Sequence, residues 1–215
     1  MTISAVLFDL DGTLADTLDD ITRSLNVALA GVGRPAVAPR DAAPCVGWGV
    51  RRLIENVVPD AGAELVDELV VRFRAHYTDH LVVETRPYPG IPELLDALVG
   101  RGLPLAILSN KPDAMTRRIA AQVFARWPFA MVLGQRDDLP RKPDPAGALL
   151  AAAAMQHPVE QIALVGDTDV DVATARAAGM LPVAVSWGFR PFDQVAEAGA
   201  AAILTRPAEL LELIG

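Results

Sequence analysis

Aspartates stand in two tight groups on this chain. Asp9 and Asp11 close an apolar run (Ile3, Ala5, Val6, Leu7, Phe8) and are followed by Gly12 and Thr13. Asp167, Asp169 and Asp171 close a second run at 161–165. A third run, 103–108, ends in Ser109-Asn110, and Lys142 lies in a loop before a helical pattern. Carboxylates gathered so closely repel one another unless a cation neutralises them. Oxygen donors alone, with no His or Cys beside them, suit a hard ion such as Mg²⁺. Asp9 and Asp167 are the natural pair. Such an ion would keep Asp9 ionised and screen an incoming phosphate from it, so that the aspartate could attack phosphorus and form an acyl phosphate. Asp11, two residues on, faces the same way as Asp9 in extended backbone. It is the candidate to protonate the leaving oxygen and later to take a proton from water. Gly12 would let backbone N–H groups approach the phosphoryl oxygens. Thr13, Ser109 and Asn110 would supply further donors, and Lys142 would neutralise developing charge.

Each group alone has a plainer reading. Two aspartates after a strand are commonly a solvated turn, Ser-Asn is a helix cap, Lys142 is a surface lysine, and acidic residues at 167–171 favour a helix N-terminus. Their joint placement after strands carries the chemistry.

The positioning elements follow from periodicity. Short, continuous apolar runs at 3–8, 103–108, 131–133, 161–165 and 181–185 alternate with helical patterns at 92–99, 114–124, 144–155 and 170–178. Such alternation predicts an α/β fold with a doubly wound parallel sheet covered on both faces. Ligands in such sheets bind beyond the carboxyl ends of the strands, where the polar residues above fall. Between residues 15 and 85 the pattern is helical throughout: Leu18, Ile21, Leu25, Ala28 and Val32 recur at helical spacing, 50–58 and 63–81 follow suit, and 34–44 reads as loop. Arg86-Pro87-Tyr88-Pro89-Gly90 marks a seam. The expected organisation is a core of 1–14 and 86–215, with residues 15–85 inserted as a small helical cap.

Composition narrows the class. The 215 residues are 52% hydrophobic and 21% charged, which supports a sizeable, mainly aliphatic core and excludes disorder. The net charge of −8 argues against nucleic acid as a partner. With Cys45 the single cysteine, a disulfide scaffold is excluded, and the thiol reads as a small half-buried side chain. The alanine-rich run 146–155 is far shorter than the ~20 residues of a membrane span. A cytoplasmic setting is expected, without membrane association, as a monomer or homodimer acting on a small phosphorylated metabolite.

Asp9-Leu10-Asp11-Gly12-Thr13, Ser109, Lys142 and Gly166-Asp167-Thr168-Asp169-Val170-Asp171 together resemble the four motifs of the haloacid dehalogenase superfamily of phosphohydrolases, and the resemblance spans essentially the whole chain. It implies Asp9 as nucleophile and Asp11 as acid/base. It implies magnesium held by the Asp9 carboxylate, the Asp11 backbone carbonyl and the Asp167 carboxylate, with Asp171 steadying Lys142 or a metal-bound water. Family dehalogenases lack the second aspartate of the first motif, so Asp11 implies phosphate chemistry. The resemblance also implies a helical cap that closes over the substrate. Val46-Gly47-Trp48-Gly49, Ser109-Asn110-Lys111-Pro112 and Arg141-Lys142-Pro143-Asp144-Pro145 resemble phosphoglycolate phosphatases in particular.

Trp48 between two glycines and Arg51 after them are candidate substrate contacts, Arg51 for a substrate carboxylate; a solvated helix face is the plainer reading of Arg51 and Arg52. His76 and His80 have metal-ligand spacing but lack the glutamate of the zinc-protease motif. Two other functions compete with a phosphatase. A phosphosugar mutase would return the phosphoryl group to its substrate. A receiver-type phosphoacceptor would be about half this length, lack the insert and carry its aspartate after a middle strand.

Overall fold

A computed structural model describes residues 2–214. The chain runs β1 (Ala5–Phe8), β2 (Ala15–Asp16), α1 (Leu18–Ala30), α2 (Pro39–Ala42), α3 (Val50–Val57), α4 (Ala63–Asp79), β3 (Arg86–Pro87), α5 (Ile91–Gly100), β4 (Leu105–Pro112), α6 (Asp113–Val123), β5 (Phe129–Gln135), α7 (Ala146–Met155), β6 (Ile162–Gly166), α8 (Asp169–Ala178), β7 (Leu181–Val185), α9 (Phe192–Glu197) and β8 (Ala202–Leu204). Six strands form one parallel sheet in the order β5-β4-β1-β6-β7-β8. The expected α/β doubly wound architecture is the one observed.

The sheet is continuous in hydrophobicity because both faces are covered. Val6 and Phe8 of β1 point into one apolar cluster, shared with α1, α4, α5 and α6. Ala5 and Leu7, the alternate residues, point into the other, built from small residues of α7 and α8 such as Ala148, Ala151 and Ala175. The run of alanines in α7 thus lets that helix lie close on the sheet. No helix among the described residues is long and apolar enough to cross a membrane.

β1 lies centrally, between β4 and β6. The chain builds outward from β1 through β4 to β5, then returns to β6 and builds the other way. The winding therefore reverses beside β1, where ligand crevices form in such sheets.

Helices α1–α4 leave and rejoin the sheet at a two-residue antiparallel ladder, with Ala15 opposite Pro87 and Asp16 opposite Arg86. Asp20, buried in the first turn of α1, tightens this junction. Its carboxylate accepts hydrogen bonds from the N–H groups of Val83, Glu84 and Thr85 and from the Thr85 hydroxyl, at 2.8–3.1 Å.

Two local expectations are corrected. The stretch 34–44, expected as loop, contains α2 and the start of a 3-10 turn at Ala43–Cys45; Pro39 and Pro44 each stand in a first turn, where the missing N–H costs nothing. The strand expected to stop at residue 108 continues to Pro112 through a register irregularity after Leu108, so Ser109 and Asn110 sit within an irregular strand end rather than in a helix cap.

Candidate active site

Asp9 follows β1 and Asp167 follows β6, and the two strands pair in register with Phe8 opposite Val165. The Asp9 N–H donates to the Val165 carbonyl at 2.9 Å, which extends the ladder to the aspartate itself. Asp171 reaches the same point from the first turn of α8, where Thr168 and Asp171 cap the helix reciprocally. Carboxylate oxygens of Asp9, Asp167 and Asp171, all buried, lie within 4.8 Å of one another. Gly12 (φ +82°) and Gly188 permit this crowding: a Cβ at either position would collide with the Asp167 side chain.

Most polar atoms here are already committed. One Asp9 oxygen accepts from the Leu10 N–H at 2.7 Å and meets the Lys142 ammonium at 2.9 Å. Asp167 accepts from the Thr13 hydroxyl and the Phe189 N–H. Asp171 accepts from Lys142 Nζ at 2.6 Å and from the Thr168 N–H and hydroxyl.

Burial pushes the Asp9 carboxyl well above its ordinary range; Lys142 opposes the rise, and the Asp171 and Asp167 charges add to it. Burial and Asp171 push Asp167 up to about 7. Burial alone would lower the Lys142 ammonium, but Asp171 and Asp9 outweigh it and hold the group above its usual value. Three clustered carboxylates thus have one lysine near them, paired with Asp9 and Asp171, a deficit of positive charge at an all-oxygen donor set. That set fits a hard divalent cation and offers no soft ligand. The Asp11 carboxylate is not part of it.

Asp11 turns instead to the other side of the cavity. Both its oxygens lie 2.8 Å from Lys111 Nζ, and one accepts from the Thr17 hydroxyl at 2.7 Å. Lys111 is buried, and its ammonium lies 4.9 Å from the centre of the Tyr77 ring. Burial opposes the Lys111 charge, but Asp11 and Tyr77 outweigh it. Lys111 is a residue that sequence reasoning quoted only within a motif and gave no role. Its sole signal is a lysine inside an apolar strand, which requires a buried partner.

Ser109 lines the cavity, its hydroxyl accepting from the Lys111 N–H at 3.2 Å. Asn110 also borders it, yet its amide is spent on scaffolding. Its Oδ1 accepts from the Lys142 N–H, and its Nδ2 donates to the carbonyls of Lys142 and Gly47. Asn110 therefore ties the Lys142 loop to the glycine loop of the insert instead of offering a free donor. Thr13 is likewise turned to Asp167 rather than to the cavity.

The cavity comprises about 700 Å³ of empty space including its open mouth, between the strand ends and the insert. Asp9, Asp11, Ser109 and Lys111 form its floor; Val50, Leu53, Phe73 and Tyr77 form the opposite wall. Neither Trp48 nor Arg51 reaches it. The Trp48 carbonyl accepts from Arg141, which anchors the loop. Arg51 lies on the outer face of α3, half exposed, pairing with Glu55 and Asp67. The reason is helical phase: Val50 and Leu53 face inward, and a neighbouring residue is rotated by about 100°. Arg190 escaped the sequence reading altogether; its guanidinium donates to the carbonyls of Pro44 and Val46 and props the glycine loop over the site.

His76 and His80 stack with ring centres 4.0 Å apart, and His76 Nδ1 lies 2.9 Å from the Ser24 hydroxyl, linking α4 to α1. Cys45 is half-buried, as expected.

Comparison with known proteins agrees with this geometry. Residues 3–179 match the family described as haloacid dehalogenase-like hydrolase. A phosphoglycolate phosphatase of Aquifex aeolicus is 34% identical over 210 residues, covering 97% of this chain and 95% of that one. An N-acetylmuramic acid 6-phosphate phosphatase of Pseudomonas aeruginosa is also 34% identical, over 220 residues, covering 100% and 96%. A crystal structure from Lactobacillus delbrueckii subsp. bulgaricus, provisionally named a phosphoglycolate phosphatase, superposes with a TM-score of 0.94 at 28% identity and full coverage of both chains. The chain belongs to the haloacid dehalogenase-like hydrolases, as a phosphoric monoester hydrolase similar to phosphoglycolate phosphatases.

Proposed function

We propose that the chain hydrolyses a small phosphomonoester in two steps through an aspartyl phosphate on Asp9, with Mg²⁺ as its metal and 2-phosphoglycolate as the leading substrate. The observation that carries this reading is the convergence of three buried carboxylates, two of them paired with Lys142, with one Asp9 oxygen held and the other bearing no hydrogen bond among the described residues.

Asp9 and Asp167 would hold the ion, together with the Asp11 backbone carbonyl. When bound, it supplies positive charge that the cluster lacks and neutralises the phosphoryl oxygens. The unheld Asp9 oxygen attacks phosphorus as the bond from phosphorus to the leaving alkoxide breaks. Lys142, fixed by Asp171, offsets the negative charge on the phosphoryl group. Asp11 gives its proton to the alkoxide. Water then attacks the acyl phosphate, Asp11 takes the water proton, and the bond from phosphorus to the Asp9 oxygen breaks. Phosphate leaves and the carboxylate is restored. Lys111 and Thr17 keep Asp11 aimed into the cavity through both steps. Ser109 stands where a phosphoryl oxygen would need a donor.

Residues 15–85 act in this reading as a cap, hinged at the β2–β3 ladder, which excludes water during the first step. The Pseudomonas aeruginosa relative supports a second substrate reading, a phosphosugar acid, since its identity to this chain equals that of the phosphoglycolate phosphatase.

Phosphate release from 2-phosphoglycolate, phosphosugars and pyrophosphate tests both readings, with magnesium, with chelator, and with Asp9→Asn. Release that needs magnesium, disappears in Asp9→Asn and favours 2-phosphoglycolate is the expected result. Preference for a phosphosugar acid keeps the chemistry and moves the substrate. A phosphosugar isomer without phosphate release marks a mutase. Full activity in Asp9→Asn overturns the nucleophile.

A further inference from the structure

The wall facing Asp9 holds two polar groups that the proposed chemistry does not use. Both lie on α4, three residues apart, and both border the cavity: Arg74 and Tyr77. The Tyr77 side chain is buried, 2% exposed, and its hydroxyl lies beside the Lys111 ammonium without a well-formed hydrogen bond to any of the described residues. A buried hydroxyl without a well-formed hydrogen bond is costly, so structures rarely keep one without a reason. Arg74, exposed at the rim of the cavity, forms no ion pair among the described residues, whereas Arg72 and Arg51, also exposed, pair with Glu68 and with Glu55 and Asp67.

The other charges in the lining and just beneath it are already matched. Lys142 serves Asp9 and Asp171, and Lys111 serves Asp11. Arg74 is thus the cation bordering the cavity that is left to meet an incoming anion. Its position fits a small molecule. Tyr77 adjoins Lys111, and so the acid/base end of the site. Arg74 is three residues away, roughly 4.5 Å along the helix axis. A substrate with its phosphate at Asp9 and a second anionic group only a few atoms away would meet both side chains. The remaining wall, Val50, Leu53 and Phe73, offers nothing polar to a neutral, hydroxyl-rich tail.

We propose that Arg74 and Tyr77 form the subsite that selects phosphate esters bearing a carboxylate on the leaving group, with the Arg74 guanidinium pairing the carboxylate and the Tyr77 hydroxyl donating to it. This rests on the phosphatase reading above and deepens it. It also gives α4, not the glycine loop with Trp48 and Arg51, the task of reading the leaving group.

The test compares kcat/KM for carboxylate-bearing esters (2-phosphoglycolate, phospholactate, 3-phosphoglycerate) with that for p-nitrophenyl phosphate, which has no carboxylate. The wild-type protein, Arg74→Gln, Arg74→Lys and Tyr77→Phe are assayed with magnesium. The expected result is a wild-type preference for at least one carboxylate ester. That preference ratio falls about tenfold in Arg74→Gln, less in Arg74→Lys, and about threefold in Tyr77→Phe, the loss residing in KM. Tyr77→Phe is expected to melt close to wild type, because its hydroxyl makes no well-formed hydrogen bond to the described residues and Asp11 still pairs with Lys111. An unchanged ratio in Arg74→Gln overturns the proposal. So does a wild-type enzyme that turns over p-nitrophenyl phosphate yet prefers no carboxylate ester, an outcome that leaves the phosphatase reading standing. A wild-type protein inactive on every ester brings down that reading itself, and the subsite with it.

Discussion

Around and beneath the floor of the cavity, Asp167 and Asp171 have both oxygens bonded, Lys142 meets two carboxylates, and Asn110 spends its whole amide on two neighbouring loops. On the wall across from it, α4 presents Arg74, exposed and without an ion pair among the described residues, and Tyr77, whose buried hydroxyl lacks a well-formed hydrogen bond to them. The floor stands on paired strands and a capped helix, which hold charges in place before a substrate arrives. Preorganisation of that kind stabilises developing charge without a reorganisation cost. The wall stands on an amphipathic helix whose polar groups stay unmatched until a ligand supplies the partner. Chemistry and selectivity therefore occupy opposite sides of one cavity and rest on different kinds of backbone.

Substitutions should separate the two sides by the size and kind of their effects. Asp9→Asn removes the nucleophile while keeping its shape, and kcat is expected to fall on the order of 10⁴-fold or more with folding intact, read by single-turnover phosphate release. Chelation of the metal should cost a similar share of activity, and adding magnesium back should restore it.

Lys142→Ala is the next largest. It leaves the buried Asp9 and Asp171 without their counter-charge, so kcat should drop on the order of 10²–10³-fold. Stability should fall by about 3–5 kcal/mol in chelator, the usual cost of breaking a buried pair. Magnesium should recover part of that stability; a melting temperature equally low with and without the ion would contradict the charge-deficit account of the floor.

Asp20→Asn lies at the junction of the two sides. Replacing an acceptor of several backbone N–H groups should cost about 2–3 kcal/mol. The loss should show as faster proteolysis near residues 81–86 and a higher KM, with less effect on kcat. A pure kcat loss would mean that the junction shapes the floor as well.

The smallest effect is expected for Arg51→Ala. Its ion pairs are half exposed and contribute about 0–1 kcal/mol. KM for a carboxylate-bearing ester should stay within about twofold; a larger rise would return the reading of the leaving group to the glycine loop.

How much of this was legible beforehand differs between floor and wall for the same physical reason. Asp9, Asp11, Ser109, Asp167 and Asp171 each stand at or just beyond a strand of predictable polarity, Lys142 lies in the loop that follows β5, and in a parallel sheet all strand ends share one edge. Their convergence follows from pattern alone. Thr13 and Asn110 were located correctly, but the direction of their hydrogen bonds was not, since a hydroxyl or amide at a strand end takes whichever partner tertiary packing brings near. Lys111 and Asp20 were missed for a related reason. A lysine in a strand and an aspartate in a helix first turn read as ordinary until their partners, 100 and up to 65 residues away, are in place. Arg51 and Trp48 went astray because proximity to a glycine loop says nothing about helical phase.

Sequence alone determined the sheet, its carboxylate edge and the reaction class, because continuous apolar runs, period-3.6 patterns and strand-end motifs are local properties of the chain. The tertiary structure alone decided which carboxylate Lys111 would serve, which face of α3 and α4 would look into the cavity, and that Arg74 rather than Arg51 would stand there unpaired. Those outcomes depend on how helices distant in sequence rotate and dock against the sheet to bury their apolar sides, and no local pattern encodes the partner that docking supplies.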